Sequence, residues 1–69
     1  MVTIFGKEYC PYTQAAIDHY ESRDIAYEYV DVKKNRADLD RMLGYSSGHR
    51  RVPVVVEEDG RVTIGWGGT

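Results

Sequence analysis

Residues 6–20 read GKEYCPYTQAAIDHY and contain the only cysteine of the 69-residue chain, Cys10, directly before Pro11. Proline is favoured at the first position of a helix, where its missing N–H is not needed. Apolar side chains then recur at helical spacing, as at Ala16 and Tyr20. The stretch therefore predicts an amphipathic helix of about three turns, with Cys10 as its N-cap.

Strand-forming residues flank this helix on both sides. Residues 2–5 indicate a short buried strand, and residues 25–32 combine β-branched and aromatic side chains. Residues 52–56 form a near-continuous β-branched run, which is typical of a central strand that is buried on both faces. A tight turn at residues 58–60 precedes a returning strand over residues 61–64.

A second helix is predicted between the second and third strands. Asn35 and Asp38 resemble a capping pair, and the apolar residues that follow have helical spacing up to an end near Gly44 or Gly48. The order β-α-β-α-β-β predicts one α/β domain over residues 1–69, with a four-stranded mixed sheet. Pro53 fits this central position if it begins the strand, and a cis bond before it is one way to do so.

Composition excludes several classes of function. The net charge of −2 and the pI near 5.5 argue against nucleic acid or an anionic membrane as the main partner. No apolar run is long enough to span a bilayer, and the N-terminus lacks signal-peptide features. His19 and His49 are isolated, so no metal site is expected. One unpaired cysteine fits a reducing compartment, and we expect a cytoplasmic protein.

Cys10 has two interpretations. Unpaired cysteines are most often small buried packing groups. A sulfur at a helix N-terminus, however, can accept from the unsatisfied N–H groups of Tyr12 and Thr13, and the Thr13 hydroxyl is a further donor. Together with the helix dipole and the nearby Lys7, these groups predict a depressed pKa for Cys10 and a nucleophilic thiolate.

Thr13 decides which thiol chemistry is open to the chain. In a Cys-x-x-Cys motif the second thiol attacks the mixed disulfide and releases the product. Thr13 occupies that second position and cannot attack. The sequence therefore predicts a monothiol mechanism, in which Cys10 is the nucleophile and an external thiol completes the cycle.

The chain resembles the glutaredoxins of the thioredoxin superfamily over its whole length. The resemblance rests on residues 10–12 (Cys-Pro-Tyr), 52–53 (Val-Pro) and 67–68 (Gly-Gly), in this order between these elements. Residues 50–62, RRVPVVVEEDGRV, are also similar to the small redoxins that reduce ribonucleotide reductase. The chain looks most like the short Uxx-star group, whose members carry a Cys-Pro-Tyr-Thr setting. A thioredoxin-like fold and a cis bond at Pro53 are implied.

The resemblance further implies glutathione as co-substrate and protein disulfides as partners. The backbone of Val52 would bind the cysteinyl part of glutathione by strand-like addition, and Lys7 and Arg51 would bind its glycine carboxylate. Tyr12 would line the groove. The implied binding residues are Lys7, Tyr12, Arg51, Val52, Pro53, Gly67 and Gly68.

Two departures from the glutaredoxin pattern have consequences. The chain stops at Thr69, so the acidic residue and the C-terminal helix that usually follow the Gly-Gly pair are absent. The missing helix normally covers a sheet face together with the first helix. We therefore expect exposed apolar surface on that face, covered by a homodimer or another partner.

Two other functions stay open. Some monothiol glutaredoxins carry an iron–sulfur cluster between two subunits with glutathione as ligand, and the same scaffold could be a redox-inert binding module. Among the remaining aromatic residues, Tyr9 and Tyr45 could join Tyr12 in a groove wall. Tyr29 is interpreted as a packing residue, and His19 as solvated.

Overall fold

The structure, a computed structural model, describes residues 1–67. The predicted element order is confirmed. The elements are β1 (Val2–Gly6), α1 (Pro11–Ser22), β2 (Tyr27–Asp31), α2 (Arg36–Ser46), β3 (Val54–Val56) and β4 (Val62–Ile64). The predicted Gly68 site residue lies outside the described residues.

The strands form a single mixed sheet in the order β2-β1-β3-β4. β1 pairs in parallel with β2 and antiparallel with β3, and β3 pairs antiparallel with β4. The parallel pair is connected by α1, because a parallel connection needs a crossover, and the antiparallel pair β3–β4 is a hairpin. This arrangement is the predicted thioredoxin-like α/β fold.

Each sheet face packs against one helix. Alternate residues of the central strands point to opposite faces. On one face Ile4 and Val55, both fully buried, pack in a cluster with Ala16 of α1. On the other face Phe5, also fully buried, packs in a cluster with Met42 of α2. The two central strands are therefore buried on both sides, which fits their β-branched and aromatic composition.

The junction between β1 and α1 places the cysteine at the edge of this core. Pro11 is the first residue of α1, and Cys10 is its N-cap with an extended backbone (φ −96°, ψ 114°), as predicted. The last residue of β1, Gly6, has no room for a side chain because Thr13 of α1 occupies that space. A Cβ at Gly6 would overlap Cγ2 of Thr13 and lie 2.7 Å from its Oγ1.

Several predicted boundaries need correction. β2 begins at Tyr27 rather than residue 25, and β3 begins at Val54, after Pro53, with a cis bond between Val52 and Pro53. Gly44 lies inside α2, so it does not end the helix. The helix ends at Ser46; its C-cap Ser47 has a left-handed backbone (φ 57°), and the next residue is Gly48 (φ 87°).

The apolar surface expected on the α1 face is small on the strands that the structure describes. Of their large apolar residues on this face, only Tyr29 is more than a third exposed, at 37%. The reason is that Tyr20 is buried in the cluster over Val55, and Trp66 packs against the same cluster. The ring of His19 lies 5.1 Å from that of Trp66, so this histidine is half-buried rather than solvated.

Candidate active site

Cys10 lies at the wall of an open cavity of about 510 Å³. The residue is buried, with 9% of its surface exposed, and it contributes to the lining of this cavity. The cavity is lined by the loop before α1, the first two turns of α1 and one residue of β2. These lining residues are Lys7, Glu8, Tyr9, Cys10, Pro11, Thr13, Gln14, Ile17 and Tyr29.

The surroundings of Cys10 favour its thiolate. Burial raises the pKa of the Cys10 thiol, but hydrogen bonding from the hydroxyl and amide of Thr13 and the amide of Tyr12 outweighs this effect. The charge of Lys7 adds to the lowering, and the net result is a pKa below the ordinary value. The Cys10 side chain makes no cap hydrogen bond in the structure, but these donors lie close enough to the sulfur to favour its ionised form.

The Thr13 hydroxyl is a buried hydrogen-bond donor next to Cys10. Its side chain is 2% exposed, and its Oγ1 has no hydrogen-bond partner among the residues that the structure describes. A buried hydroxyl without a partner costs free energy, so it is uncommon in a folded protein. A Cys10 thiolate would be an acceptor for this hydroxyl, which is among the groups that lower the pKa of Cys10.

Lys7 connects the Cys10 cavity with a second cavity of about 440 Å³, which we call the cationic cavity. Lys7, Lys33, Arg36 and Arg50 supply its charged lining, and its apolar lining is Val32, Leu39, Met42 and Val52. Of the two arginines in residues 50–51, the predicted Arg51 is not among these lining residues, and its neighbour Arg50 is.

The predicted Val52–Pro53 segment lies beside the cationic cavity. Val52 lines that cavity and is half-buried, and Pro53 follows it through the cis bond. The carbonyl of Pro53 accepts a hydrogen bond of 2.7 Å from the amide of Gly65, which ties the end of the hairpin to this segment.

Gly67, a predicted glutathione-binding residue, lies beside Tyr12, which was predicted to line the groove. A Cβ built at Gly67 would be 3.8 Å from Cδ1 of the Tyr12 ring. Gly67 also has a left-handed backbone (φ 66°), a conformation that glycine adopts without strain. The chain after the hairpin therefore approaches the first turn of α1.

Tyr29 is a site residue that sequence interpretation missed. It lines the Cys10 cavity rather than serving only in packing. Burial raises the pKa of Tyr29, and the negative charges of Asp31, Glu8 and Cys10 raise it further. The phenol of Tyr29 is therefore near enough to Cys10 for the charge of an ionised sulfur to affect it. Strand pairing could have revealed it, because Tyr29 pairs with Ile4 and hence faces α1.

Tyr9 and Tyr45 occupy different surfaces. Tyr9 directly precedes Cys10, lines the same cavity, and is 99% exposed with a left-handed backbone (φ 61°). Tyr45 lies on α2, on the opposite sheet face, where its ring is 5.8 Å from that of Phe5. The predicted groove wall therefore includes Tyr9 but not Tyr45.

Residues 1–67 contain no group of three or more His, Cys, Asp or Glu side chains placed to hold a metal ion. Within the same described range, neither helix has the length and apolar character that crossing a bilayer requires.

Comparison with known structures finds several with the same fold. A thioredoxin-like protein, BC3987, is 30% identical with a TM-score of 0.84, and the match covers 97% of this chain and 89% of that one. Glutaredoxin grx-1 from Archaeoglobus fulgidus is 21% identical with a TM-score of 0.82, over 96% and 75% of the two chains. NrdH-redoxin from Escherichia coli is 23% identical with a TM-score of 0.78, over 93% and 80%.

No curated protein sequence gives a significant match. The glutaredoxin family model matches residues 2–62, which include the predicted nucleophile, the Thr13 donor and the Val52–Pro53 segment. With the thioredoxin-like fold and a pKa-lowered cysteine at the N-cap of α1, this match shows that the chain belongs to the glutaredoxin family.

Proposed function

We propose that this glutaredoxin-family protein is a monothiol thiol–disulfide oxidoreductase with Cys10 as its nucleophile. The observation that carries the proposal is the position of Cys10, at the N-cap of α1 and in the wall of an open cavity, with donors that lower its pKa. A thiolate is the reactive form of cysteine, and here it is made at a place that a substrate can reach.

The reaction has two exchange steps. The Cys10 thiolate attacks one sulfur of a disulfide, a mixed disulfide with Cys10 forms, and the other sulfur leaves as a thiolate. Thr13 cannot attack this intermediate, since a hydroxyl does not exchange with a disulfide. A second external thiol, glutathione or another low-molecular-weight thiol, releases the first partner and restores Cys10 for the next protein disulfide. A reducing cytoplasm would supply that thiol.

Glutathione disulfide tests the proposal directly. Mass spectrometry after exposure should show one glutathione adduct on Cys10. The pH dependence of Cys10 alkylation should give an apparent pKa below that of a free cysteine. Cys10→Ser is the control and should give no adduct. A thiol that forms no adduct and is alkylated with the pH dependence of a free cysteine would show a redox-inert module instead.

The Thr13→Cys variant tests the monothiol mechanism. It places a second thiol where the hydroxyl of Thr13 now faces the sulfur. We expect the glutathione adduct to be stable in the native protein and to disappear from the variant as an intramolecular disulfide replaces it. An adduct that is equally short-lived in both proteins would contradict a monothiol cycle.

A homodimer and a shared iron–sulfur cluster can be tested together, because such a cluster would lie between two subunits. Sedimentation velocity over a concentration series reports the dimer. Visible absorbance and a brown colour after anaerobic reconstitution with iron, sulfide and glutathione report the cluster. A monomer at all concentrations with no absorbance would leave the exchange reaction as the proposed function.

A further inference from the structure

The cationic cavity gathers positive charge on a chain that is acidic overall. Four cationic side chains line it, and no carboxylate does so among the described residues. Several cations elsewhere are paired with carboxylates, as in Arg61 with Glu57 at 2.8 Å and Lys34 with Glu8 at 3.4 Å. The whole chain has a net charge of −2, so the charge of this cluster is opposite in sign to that of the whole chain.

The four charges come from four separate segments. Lys7 follows β1, Lys33 follows β2, Arg36 is the first residue of α2, and Arg50 precedes β3. A cation at the first position of a helix is unfavourable, since the helix dipole is positive there. Arg36 forms an ion pair with Asp40 through its Nε, at 3.2 Å. Bringing like charges together from distant positions costs free energy unless an anion occupies the cavity.

The amount of charge indicates the kind of anion. One arginine can satisfy a single carboxylate through two parallel hydrogen bonds. A phosphate group carries about 1.5 to 2 negative charges and three strong acceptor oxygens, so it matches several cations. The apolar part of the lining, which includes Leu39 and Met42, suits a carbon-rich group beside the phosphate.

We propose that the cationic cavity binds the phosphate end of a phosphorylated low-molecular-weight thiol, whose sulfur exchanges with Cys10. The inference rests on the proposed function of Cys10. Lys7 is the structural link, since it lines both cavities. In the reaction the Cys10 thiolate attacks the disulfide of this thiol, the Cys10–thiol disulfide forms, and the other half leaves as a thiolate.

Coenzyme A disulfide and pantethine are the matched probes, because both present the same thiol arm and only the first carries phosphates. Formation of the Cys10 adduct is followed by mass spectrometry at low salt. We expect coenzyme A disulfide to react at least about tenfold faster, with the advantage shrinking as salt screens the charges. The double variant Arg36→Gln/Arg50→Gln should lose this advantage and keep the pantethine rate.

Arg61→Gln is the control variant, since Arg61 lies on the hairpin and pairs with Glu57. It should behave as the native protein with both disulfides. Equal rates for the two probes would overturn the inference, as would an advantage that survives the double variant. If neither probe nor glutathione disulfide reacts, the proposed exchange reaction itself fails.

Discussion

Thr13 combines packing and chemistry in one side chain. Its methyl group faces Gly6 at the end of β1, and its buried hydroxyl is among the groups that lower the pKa of Cys10. A cysteine at this position would give a dithiol motif, whereas threonine keeps the donor and removes the second nucleophile. The same residue therefore activates the first exchange step and prevents an intramolecular second step.

The Thr13→Val variant separates these two roles. Valine keeps the shape and the methyl contact but removes the donor, so the pKa of Cys10 should rise. Since a hydrogen bond to a charged group contributes about 1.5–3 kcal/mol, we expect the rate of alkylation at pH 7 to fall about tenfold. Stopped-flow alkylation measures this change. Thr13→Ser retains the hydroxyl and should stay close to native, and an unchanged rate in Thr13→Val would contradict the assigned role.

At the scale of single residues, the sequence predicted the features that depend on backbone preferences within a few residues. Cys10 as N-cap and Pro11 at the first helical position follow from backbone preferences over a few residues. The choice between Arg50 and Arg51 does not, because two adjacent side chains in a loop point in directions that only the folded path of the loop decides. Tyr29 was missed because its role depends on pairing between strands far apart in the chain.

The contact between β1 and α1 depends on the absence of a side chain at Gly6. A methyl group there would overlap Thr13, so Gly6→Ala should push the start of α1 away from the strand. We expect a loss of about 1–3 kcal/mol in the free energy of unfolding, as for other overpacked sites, together with a higher pKa for Cys10.

Chemical denaturation and the pH dependence of alkylation measure the two effects. Gly44→Ala is the matched control, since a Cβ there meets nothing within 4 Å and alanine favours the helix. A Gly6→Ala protein with native stability and native thiol reactivity would contradict this account.

The end of α2 is suboptimal in a way that can be improved. Ser47 has a left-handed backbone (φ 57°), which costs a residue with a Cβ about 1 kcal/mol relative to glycine. Because Ser47 is exposed, Ser47→Gly should raise the free energy of unfolding by about 0.5–1 kcal/mol. Thermal or chemical denaturation tests this gain. Ser46→Gly should instead destabilise, since the buried Ser46 hydroxyl donates to the carbonyl of His49 at 2.7 Å.

The elements themselves were predictable, and their ends were less so. Periodicity identifies both helices and the central strands, because buried faces repeat regularly along each element. The end of α2 was placed ambiguously between Gly44 and Gly48, since glycine within a helix and glycine after it look alike in sequence. The start of β2 was placed too early because residues 25 and 26 have strand-like composition but lie before the first pair of the parallel ladder.

Across the whole molecule, ionisation of Cys10 couples to folding. The folded protein holds the pKa of Cys10 below its ordinary value, whereas the unfolded chain titrates near about 8.5. The ionised sulfur therefore stabilises the native state above the unfolded pKa, and this contribution is lost as the pH falls through the folded pKa. The free energies of unfolding of the native protein and of Cys10→Ser should be compared between about pH 5 and about pH 9. We expect their difference to grow with pH.

Keeping the measurement below pH 9 matters because tyrosines act in the opposite sense. Burial and the charge of Glu57 raise the pKa of Tyr20, so its stabilising contribution is lost as the pH rises above its ordinary range. A stability difference between the native protein and Cys10→Ser that does not change with pH would show that the thiolate is not favoured in the folded state.

The hydrogen bond from the Gly65 amide to the Pro53 carbonyl makes one backbone proton a reporter on the contact between the start of β3 and the end of β4. Gly65 is buried, and the bond joins the segment before β3 to the segment that carries Gly67 toward Tyr12. Deuterium uptake at this amide therefore requires the hydrogen bond between these two segments to open. A disulfide partner that binds beside Pro53 should slow that uptake, which gives an occupancy signal that needs no turnover.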